Sequence, residues 1–231
     1  MKNHTSYFEN DTFDWNNWDM DEVQSSDEVR KKIESFSLRG KTIQRIRFLS
    51  YSFFHSPHIL LDIAYSRQYK DCPEPDIEHY GINDVDDNIM FYREAEIDDC
   101  MVVGFDDGST FEISTGFGVS WAVSMNQIPW NVRSKYPDCP YLDASILFSS
   151  CIGRTITDIE VVGDSFKTDT IMFILNDGTK FVIEEVHDGW YDVTHCEERE
   201  NGLRTMEIPF SELRKALNEE LFRDADFFEM Y

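Results

Sequence analysis

The amino-acid sequence predicts an α+β fold, mainly β. It has two related antiparallel β-meander halves with a flanking helix near each end. Three observations carry this. Short runs rich in branched and aromatic residues recur through the middle of the chain. Two junctions between such runs, Asp106-Asp107-Gly108 and Asn176-Asp177-Gly178, are tight-turn sequences whose Gly supplies the positive φ a hairpin needs. Helical periodicity is confined to one segment near each end.

Ser25-Ser26-Asp27-Glu28 reads as a capping box that opens the first helix: Ser25 accepts from the Glu28 amide, and Glu28 reaches back. Val29, Ile33 and Phe36 give that helix one apolar face, and Gly40 is placed to end it in a left-handed cap. Strands are expected over 42–49, 59–65, 89–92, 101–105, 110–114, 155–162, 170–175 and 180–186. A second helix is expected from Ser211 to Phe222, capped by Ser211, with Leu213, Ala216, Leu217 and Leu221 as its stripe.

The two halves read as copies. Gly40-Lys41-Thr42-Ile43 opens one and Gly153-Arg154-Thr155-Ile156 the other. The opening Gly lies 68 residues before the turn Gly in the first half and 25 before it in the second. The difference falls on an acidic insertion at about 66–100, which reads as a long functional loop. The expected division is therefore 1–40, an acidic segment and helix; 41–130, a meander with the insertion; and 131–231, a second meander and helix. All of these could form one compact domain.

The 231 residues carry 45 Asp+Glu against 21 Lys+Arg, a formal net charge of −24. That charge repels phosphate at long range and argues against binding DNA, RNA or anionic membrane. No run approaches the roughly 20 apolar residues of a membrane span. Five cysteines, at 72, 100, 139, 151 and 196, form no CxxC pair and read as reduced thiols. With no apolar leader at the start, they suggest a cytoplasmic protein.

Charge is uneven. Eight acids and no base lie between Phe8 and Glu28; nine bases and two acids lie between Arg30 and Lys70. Thirteen acids and one base, Arg93, lie between Asp71 and Asp107. The acidic N-terminal stretch is expected to fold back on the basic island.

The sequence lacks a nucleophile elbow, phosphate loop, dinucleotide fingerprint or HExxH. His187, Asp188, His195 and Cys196 could converge on a transition metal, but without regular ligand spacing. Asn17, Asp19, Asp21, Ser25 and Glu28 match calcium-loop positions, but Glu22 stands where that loop needs Gly. No cofactor or metal is expected.

The outstanding feature is large aromatics set among acids. Trp15 and Trp18 lie in the N-terminal acidic stretch, and Trp121 follows the first hairpin. Asp84, Asp86, Asp87, Asp98 and Asp99 crowd the insertion. Aromatic anchors ringed by charge suit a protein–protein interface, and these acids and tryptophans are its expected partner-binding residues. The acidic segment 84–99, the β-rich body and the lack of a catalytic motif resemble the immunity proteins of bacterial polymorphic toxin systems. That resemblance implies a non-enzymatic inhibitor covering the cationic site of a basic protein such as a nuclease toxin. The alternatives are a metal-dependent enzyme using His187 and His195, and a phage or cell-surface scaffold protein.

Overall fold

A computed structural model describes residues 21–48, 86–97, 100–115, 120–128, 130, 142–187 and 190–216. Strand dominates them, in antiparallel sheets, with two helices. The mainly-β α+β class expected from the sequence therefore holds.

The first sheet contains β1 (Asp21–Val23), β2 (Ile43–Phe48), β5 (Met101–Phe105), β6 (Thr110–Thr115), β7 (Trp121–Met125) and β8 (Leu142–Asp143), in the order β1-β7-β6-β5-β2-β8. The second runs β13-β12-β11-β10-β9: β13 (Gly202–Thr205), β12 (Trp190–Arg199), β11 (Lys180–His187), β10 (Thr168–Leu175) and β9 (Ile156–Gly163). A short ribbon pairs β3 (Met90–Tyr92) with β14 (Glu207–Pro209).

Within the described part of the insertion, the strand expected over 89–92 forms as β3 after a turn, and a further strand stands where a loop was expected. One of those strands, β4 (Glu94–Ile97), leaves its own half and pairs with β12, with Tyr191 opposite Ile97 and Thr194 opposite Glu94. Ala95 and Ile97 face the core, and their burial decides the docking. The strand expected over 59–65 lies outside the described residues.

The inner faces of the two sheets enclose one core. Phe111 meets Phe173 edge-on at 5.7 Å, Trp121 meets Tyr191 at 5.8 Å, and Phe148 meets Phe181 at 5.3 Å. The Tyr191 hydroxyl crosses the core to donate to the Ile113 carbonyl at 3.2 Å. Alternating strands, buried on one face, leave their other residues pointing outward.

Helix α1 (Ser26–Ser35) begins as expected, with both arms of the Ser25/Glu28 capping box formed. Val29 and Ile33 are buried in the same core, and Phe36 packs on Phe111 at 6.1 Å. Its end differs. Phe36 is the C-cap, and Ser37, at φ 53°, is the left-handed residue. Gly40 does have positive φ (87°), but it leads the chain towards β2, and its amide donates to the Ile156 carbonyl of the second sheet at 2.8 Å. Helix α2 (Phe210–Ala216) begins one residue before Ser211, so Ser211 does not cap it. The amides of Phe210 and Ser211 instead donate to the carbonyls of Ile89 and Asp87. The expected continuation to Phe222 lies outside the described residues.

Both expected hairpins form, with matching bonds. The Phe105 amide donates to the Ser109 carbonyl and the Gly108 amide to the Phe105 carbonyl; Leu175, Thr179 and Gly178 repeat this. Gly108 (φ 82°) and Gly178 (φ 85°) take the left-handed conformation that an L side chain resists.

Trp121, expected to anchor a partner, is a correction. It is 1% exposed, and its Nε1 donates to the Thr168 carbonyl at 2.9 Å across the sheets. A Trp121→Phe variant is expected to lose that bond and some packing. The cost is about 2 kcal/mol, or a melting temperature about 4–8 °C lower, measured by calorimetry.

Candidate functional site

Among the described residues, three places combine polar groups in a way that could serve a function. These are the turn at Asp86 and Asp87, the buried seam around Arg93 and His195, and the outer face of the second sheet.

The turn was expected to bind a partner. Asp86 Oδ1 accepts from the Asn88 amide (2.8 Å) and its Nδ2 (2.9 Å), so it shapes its own turn. Asp87 pairs with Arg214 at 2.9 Å, and its carbonyl takes the Ser211 amide. Both acids are exposed, and Asp87 holds α2 in place. Asp84, Asp98, Asp99, Trp15 and Trp18 lie outside the described residues.

The seam lies where the β3–β14 ribbon joins the second sheet. Arg93, 6% exposed, sits between β3 and β4. Its Nη1 donates to the Leu147 carbonyl (2.6 Å) and Ser149 Oγ (3.0 Å), and its Nε to the Glu207 carbonyl (3.3 Å). Its own backbone bonds Met206 and His195. His195, on β12, is fully buried; Nδ1 lies 2.6 Å from Ser150 Oγ and Nε2 2.8 Å from Thr179 Oγ1. Burial first, and the positive charge of Arg93 second, lower its pKa to about 4. Both ring nitrogens are thus occupied by hydroxyls. No cluster of three or more metal-ligating side chains occurs among the described residues. Cys196 is a neighbour of His195 along the strand and points to the opposite face, so the two side chains do not converge. The side chains of His187 and Asp188 lie outside the described set.

The basic island is absorbed by several elements. Lys32 pairs with Asp21 of the acidic stretch, and Arg30 with Asp27 within α1 itself. Arg39 pairs with Asp158, Lys41 with Asp107, and Arg45 and Arg47 lie over the Trp130 ring. Trp130 is carried there by a buried acid. Glu112 accepts from Thr110 Oγ1, Ser124 Oγ and the Ile128 amide, which pins the chain at Ile128 against β6 and β7. Burial raises the Glu112 pKa, and these donors oppose the rise.

The outer face of the second sheet was not legible residue by residue. Strand pairing lines up Val162, Thr170, Glu184, Asp192 and Glu96 in one row across β9, β10, β11, β12 and β4. The next row holds Glu160, Met172, Val182, Thr194 and Glu94. The third holds Asp158, Ile174, Lys180, Cys196 and Thr205. Lys180 is the one cation in these rows, and Glu198 lies 3.7 Å from it. Among the described residues Glu96, Glu160 and Glu184 form no ion pair. Glu184, Asp192 and Glu96 are acids set directly opposite one another on neighbouring strands.

Comparison with protein-family models, with curated proteins and with solved structures found no match to this chain. No helix among the described residues is long and apolar enough to cross a membrane.

Two predictions follow from the seam. With the folded pKa of His195 below its ordinary 6.5, the unfolded chain binds the proton first as pH falls. Its contribution is therefore complete above about 6.5 and lost between there and about 4, roughly 3 kcal/mol in all. Urea unfolding of the protein and of His195→Gln at pH 7 and pH 4.5 checks this: the variant is expected to lose less stability than the parent on acidification. Arg93→Met removes the donor to two carbonyls and Ser149; a loss of about 3 kcal/mol is expected from denaturant midpoints.

Proposed function

We propose that this chain is a non-enzymatic acidic binding protein whose partner is a basic protein. The type is that of an immunity protein, which neutralises a cationic toxin by covering its phosphate-binding site. The observation that carries this reading is the row Glu184–Asp192–Glu96 on the outer face of the second sheet. Strand spacing of about 4.8 Å sets neighbouring positions in the row that far apart, so Glu184 and Glu96 stand about 10 Å apart. The Glu184 and Glu96 carboxylates form no ion pair among the described residues, and a cationic surface supplies their counter-charge on binding. The net charge of −24 acts in the same direction, speeding encounter with a basic partner and slowing it with nucleic acid or anionic lipid.

This reading places the charge on a strand-built face rather than at Asp86 and Asp87, whose carboxylates are engaged in the turn and with Arg214.

The immobilised full-length chain, challenged with host lysate at low salt and at roughly 0.5 M salt, tests the reading. One basic protein retained in stoichiometric amount at low salt, and at least tenfold less after Glu96→Gln with Glu184→Gln, is expected. Retention of no basic protein, or retention indifferent to both salt and these substitutions, overturns it.

A further inference from the structure

Phe166 is 80% exposed, a large cost for an aromatic ring on a folded protein. It sits in the hairpin between β9 and β10, and that hairpin is held firmly. Asp164 Oδ1 accepts from the amides of Phe166 (2.7 Å) and Lys167 (3.0 Å). The Asp164 amide donates to the Lys167 carbonyl at 2.8 Å, and the Asp164 carbonyl takes the Ser26 amide at the start of α1 (3.0 Å). On the next strand Thr168 donates to the Gln24 carbonyl and receives the Trp121 indole. A ring displayed on a turn fixed from four sides loses little entropy on binding, which is what a preorganised anchor requires.

The hairpin stands at the end of the second sheet nearest the Glu184–Asp192–Glu96 row. Val162, at 50% exposure, begins that row, and Val186, at 49%, follows Glu184 on β11. Apolar and anionic groups thus share one end of one face. Lys167, the cation of the hairpin, is already placed between Asp169 (3.3 Å) and Glu185 (3.4 Å).

We propose that Phe166, with Val162 and Val186, is the apolar anchor of the interface and that the carboxylate row beside it is the charged rim. The occupant is a basic protein surface with an apolar pocket for the ring, framed by Lys and Arg side chains that reach the row. The inference rests on the binding function proposed above and adds where and how the partner docks. Charge complementarity selects this occupant. A second copy of the chain brings another −24 to the contact, and an anionic lipid surface is repelled in the same way.

The experiment uses the basic protein retained by the immobilised chain, purified and titrated into the full-length protein by calorimetry. Phe166→Ser is expected to raise Kd at least tenfold with the salt dependence unchanged, because it alters no charge. Phe166→Trp is expected to bind within threefold of the parent, and both variants to melt within about 1 °C of it. Glu96→Gln with Glu184→Gln is expected to flatten the salt dependence. Parental affinity in Phe166→Ser, with binding still weakened by the charge variant, overturns the anchor while the acidic binding function stands. Retention of no basic protein at the first step overturns both. A concentration-dependent dimer in sedimentation, abolished by Phe166→Ser, also overturns the anchor, since it assigns the ring to a second copy.

Discussion

The two sheets depend on a reciprocal crossing at Thr42 and Thr155. The Gly40 amide donates to the Ile156 carbonyl and the Ile156 amide returns to the Lys41 carbonyl. The Gly153 amide donates to the Ile43 carbonyl at 2.7 Å, and the Ile43 amide to the Arg154 carbonyl at 2.9 Å. At the centre the Thr42 and Thr155 hydroxyls lie 3.1 Å apart. Each hairpin tip then folds onto the crossing: the Asp106 amide bonds the Thr42 carbonyl, and the Asn176 amide bonds the Thr155 carbonyl. Lys41 with Asp107 and Arg154 with Asp177 close the outside, and the lysine holds the Asp107 carboxyl well below its ordinary range. The segments that open the two sheets are satisfied by each other's backbone. Neither is an open edge there, and the inter-sheet angle is set where the polypeptide is least free to move.

That constraint explains how polar groups are tolerated deep in the second sheet. With β9 to β12 fixed at the crossing, β4 is the element that closes the remaining length of β12, and the chain must leave β3 to reach it. Arg93 occupies the irregular position between those strands. Its guanidinium takes carbonyls that no ladder reaches, those of Leu147 and Glu207. The positive charge beside His195 then favours the neutral ring, and two hydroxyls satisfy both of its nitrogens. A histidine so placed ties β12 to Ser150 and Thr179.

What was legible in the sequence was local. The capping box at Ser25 and Glu28 and the turns at Gly108 and Gly178 need only a few adjacent residues, and they form as read. What was not legible is long-range. Gly40 reads as a helix cap because a left-handed residue is wanted nearby; Ser37 takes that role, and the positive φ of Gly40 serves a contact 116 residues away. Trp121 reads as an anchor because aromatics among acids look alike whether they face a core or a partner. Only the register with Val23 and Thr115, and the reach to Thr168, puts it inside. Glu184 and Asp192 meet across the β11–β12 hairpin, and Glu96, from a distant stretch, joins them only when β4 crosses into the second sheet. Phe166 carried one local signal that went unread: an aromatic inside an Asp-Ser-Phe-Lys turn, where small and polar residues are the rule.

The surplus of acid has a bearing on which surface can bind. Much of it is spent on the protein itself: Asp21, Asp107, Asp158 and Asp177 neutralise bases of the crossing and the first helix. Exposed pairs of this kind contribute little each, so they serve to place charge rather than to hold the fold. The outer face of the second sheet differs, because its acids oppose acids. Nothing in the core beneath asks for them: Ile183, Val193 and Ala95 on the inner side would pack as well under Thr or Gln on the outer side. On the proposed function, a row of opposed acids set beside an exposed ring on a hydrogen-bonded turn would act through a second molecule. On the binding function proposed above, a cationic partner would supply the counter-charge that Glu184 and Glu96 lack among the described residues, so binding and the stability of this face would be linked.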